Sequence, residues 1–508
     1  MTALAPKPER STPPGPPSDG MSAETTTVDG AARDTSPVTM EDPDVSVHGP
    51  ETRGIEYITE DKRGGRPGSL FWVWATPNIS FLTITLGAVL VAGLGLSLWQ
   101  ALAVTVIANL GWILVGILAV SGPAAGTSGS VITRAMYGIR GNKIIVGLYG
   151  WLLSAVYLSL TWSAASVNGV GLLARFGVPS NAAVDVTVVI VISGITALVG
   201  IYGHGLITRL YPYVANGLAV VFLLATVFMI PHFDLSYQPS EHLSGAELAA
   251  TMTVGVAILA SSPLSFFNSP DMARYLPSST PKWKTAAATG CGGATAGIIF
   301  TMVGALIATG AGFDMIGDPL GAFETAMPSW FFPIFTLGVI VAAIGLNGMT
   351  IYSASLSLQA LGIPLKRIPS TLIITVIGTL LTIVSVAVYD FTTSVSLLLQ
   401  LIVIASGPLI SVFAADVILR RNRYDGRMLL DDAPGSPFWY RDGWNWNGLA
   451  SISIGGVAAL LCINTDVFVG PVSSLTGMDL SIPVGIFVSA GVYFLLFRRT
   501  STEYPTSR

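Results

Sequence analysis

Long stretches of this chain carry no charged side chain, and that limits its fold more than any other feature. Phe71 to Gly93, Leu98 to Val120 and Ile144 to Leu173 contain no Asp, Glu, Lys or Arg. Each is near or beyond the roughly 20 residues that cross a bilayer core. Charged residues are only 11% of the 508, against roughly 25% in an ordinary soluble domain. The pattern predicts an all-α integral membrane protein.

Twelve spans are predicted, near 70–93, 97–120, 143–174, 184–203, 207–230, 248–270, 285–310, 331–361, 369–389, 391–419, 447–466 and 481–497. Cytoplasmic loops accumulate Lys and Arg. With the N-terminus inside, the inner connections hold Arg134, Arg140, Lys143, Arg209, Arg274, Lys282, Lys284, Lys366, Arg367 and the group from Arg420 to Arg441, and the outer ones hold only Arg175. A missed or added span would invert every later loop, so the charge bias supports the count. Both termini are expected in the cytoplasm and the chain in the plasma (inner) membrane.

The domain reading follows. Residues 1–66, rich in Pro, Ser, Thr, Gly and charge, read as a disordered cytoplasmic tail. Residues 67–420 form a ten-helix core, 421–446 a cytoplasmic loop, 447–497 two further helices and 498–508 a second tail. Nothing near Met1 resembles a secretory signal.

Composition excludes several function classes. The four histidines, His48, His204, His232 and His242, fall in the tail or near predicted helix ends, and no HExxH, GxSxG or phosphate-binding glycine loop occurs. Cys291 and Cys462 both lie in apolar segments, against a disulfide framework or a thiolate metal cluster. Net charge is −4 with no basic stripe, so nucleic acid is not an expected partner. No acidic or basic ring suggests a channel. A carrier remains, with the lipid bilayer and a small solute as its partners and no cofactor beyond a coupling H+ or Na+.

Two predicted spans contain proline at corresponding places. The first has FWVWATPNIS, with Pro77 and Asn78, and the sixth ILASSPLSFFNSPD, with Pro263 and Pro270. Proline removes one helical hydrogen bond and crowds the preceding turn, so carbonyls near Trp74, Ala75, Leu259 and Ala260 are candidate cation ligands. The bland alternative is that neighbouring groups re-satisfy the backbone, as is common for membrane prolines. Many secondary transporters are two inverted repeats, each starting with such a broken helix.

At this point the residues carry a resemblance. NSPDMARYLP, Asn268 to Pro277, resembles the end of the sixth helix in the nucleobase:cation symporter-1 family, the purine-cytosine and allantoin permease relatives. FWVWATPN, VITRAMYGIRGN around Arg134, NGMTIYSASLSLQALG and GPLISVFAADVILRR follow in matching order. The resemblance spans about 70–497. It implies twelve transmembrane helices in a LeuT-like five-plus-five inverted repeat, with helices 1 and 6 broken and two helices added at the C-terminus. It also implies cation-coupled uptake of a nucleobase or related heterocycle, with an amino-acid carrier of similar build as the alternative and a channel behind it.

The implied site residues can be placed. Tyr157 and Thr161 match the aromatic and polar residues one turn apart on the third helix. Trp162 is the neighbouring aromatic, on a face about 100° away. In the sixth helix relatives carry a stacking Trp where this chain has Ser262, leaving Phe266 or Phe267, with Ser265 and Asn268 as polar contacts. Asn347 is an amide in an apolar run, where a polar group faces the bundle or a cavity because lipid exposure is costly. Where sodium-coupled relatives carry a Ser-Thr pair, this chain has Gly345 and Leu346 or, in another register, Val341 and Ala342. That favours proton over sodium coupling, or sodium held by carbonyls near Trp74, Ala75 and Gly345 with Asn78. Pro77, Pro263, Asp271, Arg274 and Asp416 are read as structural or gating, with Asp271 and Arg274 forming an i, i+3 clasp in reach of water.

Overall fold

The computed structural model describes residues 49–239, 242–260, 268–310, 314–388, 391–465 and 468–500, the side chains of 387–404 and 499–500 excepted. The described residues are helical throughout apart from turns and two isolated bridges. Ser262, Pro263, Ser265 and Phe266 lie outside them.

The first apolar run is two helices, α1 (Pro67–Asn78) and α2 (Phe81–Ala88), the latter continuing into a π-helical turn, Val89–Gly93. They meet at 59°. The sequence explains the bend. Pro77 cannot donate to the ladder, and Ser80 starts a new helix by accepting from the Thr83 amide. The second run comprises α3 (Leu98–Asn109), α4 (Gly111–Ala119) and α5 (Ser121–Ala125). A Ser97–Gln100 capping box fixes the start of α3. The short α6 (Gly129–Ile132) leads to α7 (Arg134–Ile145), which passes through a π-helical stretch, Val146–Leu152, into α8 (Leu153–Arg175).

α9 (Ala182–Met229) covers the predicted fourth and fifth spans in 48 residues and bends at Gly203, whose φ is 63°. At 1.5 Å per residue this is about 72 Å of helix, over twice a bilayer core. α10 (Gly245–Ala260) and α11 (Asn268–Ala273) flank residues 261–267. Then come α12 (Lys282–Ile307), α13 (Pro319–Ala326), α14 (Phe332–Ala360), α15 (Arg367–Val388) and α16 (Phe391–Leu419). The chain closes with α17 (Gly426–Leu430), α18 (Trp446–Leu461), α19 (Pro471–Thr476) and α20 (Ser481–Thr500). Among the described residues, seven helices are long and apolar enough to cross a membrane, eight with the bent pair counted as one span.

Packing sorts the long helices into two groups. α1 and α2 lie on α12, α12 on α4, and α10 on α3; α8 packs on α14 and α15, and α9 on α14. α1 also meets α9 and α14, joining the groups, and α16 packs against α18 and α20. Glycine sets the closest approach. A side chain at Gly292 or Gly304 of α12 would collide with the backbone of Phe71 or Ile84, the small-residue contact by which membrane helices draw together. Outward faces stay apolar: Ile113, Val191, Leu198, Val220, Val227, Leu380 and Val384 are all exposed, as lipid contact requires.

One expectation fails here. The segment before α1, read from composition as disordered up to residue 66, is packed against the helices from Glu51 onward. The Ile58 amide donates to the Gly126 carbonyl, the Thr127 hydroxyl to the Ile55 carbonyl, and Arg63 to the Ile58 and Pro123 carbonyls.

Candidate functional site

Polar side chains converge at two places. The first lies between α8 and α14. Thr161 Oγ1 donates to Asn347 Oδ1 at 2.9 Å, a contact across 186 residues. Thr161 Oγ1 also lies 2.9 Å from the Tyr157 carbonyl one turn earlier. Asn347 is wholly buried, and its Nδ2 has no hydrogen-bond partner. Tyr157 is half-buried on the same face of α8 as Thr161. An amide donor left open among apolar neighbours costs about 1–3 kcal/mol. Here it offers an N–H to a small polar solute. The structure thus brings together three of the residues singled out in the sequence.

Trp162 is not with them. It is fully buried in an apolar cluster with Leu158, Ala165, Ile351 and Ile374, and its indole donates to Thr196. One residue from Thr161, it points into the α8–α9–α15 packing, as the 100° step dictates.

The backbone groups expected as cation ligands are partly occupied. The Trp74 carbonyl accepts from Asn78 Nδ2 at 2.8 Å and the Ala75 carbonyl from the Ile79 amide at 3.0 Å, so neither is freed. At i−4 spacing it is the Val73 carbonyl that Pro77 leaves without its helical donor. The Gly345 carbonyl accepts from the Tyr211 hydroxyl. Gly345 does face α1: a Cβ there would lie 3.2 Å from Thr76 Cγ2. Asn268 is half-buried at the start of α11.

The second place is a cluster at the start of the described chain, and its organiser is Glu51. The carboxylate accepts from the hydroxyls of Tyr275 (2.7 Å) and Tyr352 (3.0 Å), and from the His204 amide (2.7 Å), and pairs with Arg274 at 3.2 Å. The Glu51 amide donates to the Ile201 carbonyl. Arg274, fully buried, also donates to the Gly54 carbonyl and to Tyr352 Oη. Arg367 lies over the Tyr352 ring and holds the Gly200 carbonyl, while the His204 and Tyr275 rings stack at 4.4 Å. Burial pushes the Glu51 carboxyl up, but Arg367, Arg274, His204 and the Tyr275 hydroxyl outweigh it and hold the group below the usual carboxylate range. Gly203 makes room: beyond its positive φ, a side chain there would strike the Glu51 carboxylate.

Asp271 and Arg274 do not form the expected water-reaching clasp. Both are fully buried. Asp271 Oδ1 accepts from the Gly129 amide at 2.8 Å, and Arg274 turns to Glu51. Their i, i+3 spacing is a weaker constraint than the two partners that approach α11 from elsewhere. Asp416 is structural: it accepts from Arg420, Tyr424 and Tyr493, tying α16 to α20. Glu51 was missed because the window that made 1–66 look disordered averaged in Ile55, Tyr57 and Ile58, an apolar cluster unlike anything earlier in the tail.

Comparison with known proteins bears on the family and the fold. A family model described as a permease for cytosine/purines, uracil, thiamine and allantoin matches residues 57–485. A Bacillus subtilis (strain 168) protein named "Putative purine-cytosine permease YxlA" is 26% identical over 463 residues, 88% of this chain and 96% of that one. Among solved structures, Mhp1, a nucleobase-cation-symport-1 family transporter closed around bromovinylhydantoin, superposes with a TM-score of 0.69 at 19% identity, over 91% of this chain and 97% of that one. Its inward-facing form gives 0.66 at 18% identity, over 90% and 96%. MhsT in complex with L-phenylalanine gives 0.55 at 14% identity, over 86% and 99%. These structures share the fold.

Proposed function

This chain belongs to the family of permeases for cytosine and purines, uracil, thiamine and allantoin, and from that premise we propose that it is a symporter driving uptake of a nucleobase or related heterocycle by alternating access. Membership makes it a multi-pass membrane transporter of nucleobase-like substrates rather than an enzyme. In the fuller reading, twelve spans cross the plasma (inner) membrane with both termini in the cytoplasm. Helix 1 is bent at 79–80, and the break expected in helix 6 falls on residues 261–267, outside the described ones.

The observation that carries the reading is the buried Thr161–Asn347 pair with its open Nδ2. A planar heterobase presents ring nitrogens and exocyclic carbonyls at its edge. One fixed amide donor beside an aromatic face recognises such an edge and orients it. Tyr157 supplies the face and Asn268 a further polar contact; the expected contacts Ser262, Ser265 and Phe266 lie outside the described residues. Proton coupling is favoured over sodium, because Gly345 and Leu346 bring no hydroxyl and the Gly345 carbonyl already takes the Tyr211 hydroxyl. The Glu51–Arg274–Tyr352 cluster closes the inner mouth, so opening inward requires the 49–66 segment to let go.

The test is a panel of cytosine, uracil, purines, allantoin and hydantoins, scored by thermal shift of the purified protein and by uptake into proteoliposomes under a pH gradient without sodium, and the reverse. Stabilisation by one compound class that Asn347→Ala abolishes, with uptake following the pH gradient, supports the reading. Uptake that needs sodium and ignores pH overturns the coupling, and ligand response unchanged in Asn347→Ala overturns the site.

A further inference from the structure

A cavity of about 590 Å³ lies apart from the α8–α14 site. Its walls come from four places: Tyr57 in the segment before α1, Pro123 at α5, Lys282 and Thr285 at the start of α12, and the stretch Asn422 to Arg427 after α16. Apart from Tyr57, which lies in the gating segment, the transport reading uses none of them.

The charge of the wall is lopsided. Lys282, Arg423 and Arg427 line it against one acid, Asp425, and the Asp425 carboxylate is already occupied capping α17 through the Arg427 and Met428 amides. α12, 26 residues long, begins here with no side-chain cap, so its first amides and the positive end of its dipole face the same space. A second, independent feature points to a ligand. Thr285 is 1% exposed and its hydroxyl has no hydrogen-bond partner. Asn422, on the opposite wall, gives its Nδ2 to the Val120 carbonyl but leaves Oδ1 buried without a donor. The site therefore lacks two things: an anion for the cations, the helix terminus and the threonine hydroxyl, and a hydroxyl or amine for the Asn422 oxygen.

We propose that this cavity binds a phosphoryl anion that also carries a hydroxyl, as the headgroup of a glycerol-bearing anionic phospholipid does. A phosphodiester offers acceptor oxygens to Lys282, Arg423, Arg427 and Thr285, while a headgroup hydroxyl donates to Asn422. The depth suits lipid. Trp283, between Lys282 and Lys284, is 69% exposed with the Lys284 ammonium over its ring, the kind of aromatic and basic pairing found at the membrane–water interface. Basic pockets at that level hold anionic headgroups. A soluble phosphate ester shares the chemistry and is the other source. Because Tyr57 forms one wall and stacks against Arg427, the bound headgroup would brace the segment before α1 against α12 and the 421–427 stretch.

The experiment uses the full-length protein in detergent. Phosphatidylglycerol, phosphatidylcholine and inorganic phosphate are added separately while the unfolding midpoint is followed, and native mass spectrometry counts retained lipid. Phosphatidylglycerol is expected to raise the midpoint and to be retained as one molecule, with phosphatidylcholine ineffective. Lys282→Gln/Arg427→Gln should weaken that binding by about tenfold or more, each lost contact being a charge-assisted one. Thr285→Val, nearly isosteric and so a safe second variant should the first fail to fold, should weaken it by a few-fold. A midpoint raised fully by inorganic phosphate, with phosphatidylglycerol adding nothing, supports the anion site and assigns it to a soluble phosphate. Equal response to phosphatidylglycerol and phosphatidylcholine, or binding unchanged in both variants, overturns the proposal.

Discussion

The α8–α14 site and the proposed inner mouth are both buried and polar, yet they differ in whether charges are paired within them. At the mouth Glu51 is met by two hydroxyls, an amide and a guanidinium, and Arg274 by a carboxylate, a carbonyl and a phenol. Between α8 and α14 one hydroxyl meets one amide, and the amide's own N–H goes unanswered. The mouth also leaves Arg274 Nε, Arg367 Nε and His204 Nδ1 buried without a partner, but its opposed charges are paired and so hold one arrangement of the chain. Between α8 and α14 no charge pair fixes the arrangement, and the open amide can answer a molecule from outside. The difference supports the proposed division into gate and ligand site.

That contrast can be broken by substitution, and the largest effect belongs to the mouth. Arg274→Ala strands the Glu51 carboxylate, and removing one partner of a buried pair costs about 3–5 kcal/mol; a clear fall in the unfolding midpoint and loss of uptake are expected, and a variant as stable as the parent would mean the mouth is wet. Asn347→Ala should do the reverse, cutting ligand affinity by about tenfold or more, near 1.4 kcal/mol, while the unliganded midpoint stays within a degree or two of the parent. Thr161→Val, which loses only the hydroxyl that orients Asn347, should cost affinity less than Asn347→Ala does. Glu51→Gln keeps the shape and removes the charge; it should speed labelling of a cysteine placed at Ser353 from the inner side, and an unchanged rate would show that the 49–66 segment does not gate.

The smallest expected effect concerns pH. The Glu51 carboxyl is held below its ordinary value of about 4.3. Its stabilisation is therefore fully present above that value and is lost only as pH falls through the lower folded one. Between pH 6 and 8 the mouth should not titrate through Glu51. Uptake profiles of the parent and Glu51→Gln over that interval should run parallel, and a slope that vanishes in Glu51→Gln would contradict the assignment.

Much of this was legible in the amino-acid sequence, where the signal was local. Charge-free runs marked the helices, and Pro77 followed by Asn78 marked the bend, because backbone chemistry at a break is set by the residues at the break. Tyr157 and Thr161 could be placed on one face by helical spacing alone. What was not legible depended on partners far away in the chain. Trp162 has the composition of a stacking residue, but its neighbours across α9 and α15 make it core. Asp271 and Arg274 look like a pair at i, i+3, yet the Gly129 amide and Glu51 compete for them. The Trp74 carbonyl looks free after a proline until the Asn78 side chain is seen to fold back on it. Glu51 sat in a window whose average composition described the residues before it and not the few that pack.

The 49–66 segment also has a history to account for. It is made before every helix it touches, and the Glu51 bond to Tyr352 spans 301 positions. While α1 to α8 enter the membrane, its partners Ile201, His204, Arg274 and Tyr352 have not yet been synthesised. Its docking must follow insertion of α14, since contacts this distant in sequence form late. These early residues are thus among the last to find their place, and a mouth sealed by them reports that the helices behind it have been assembled.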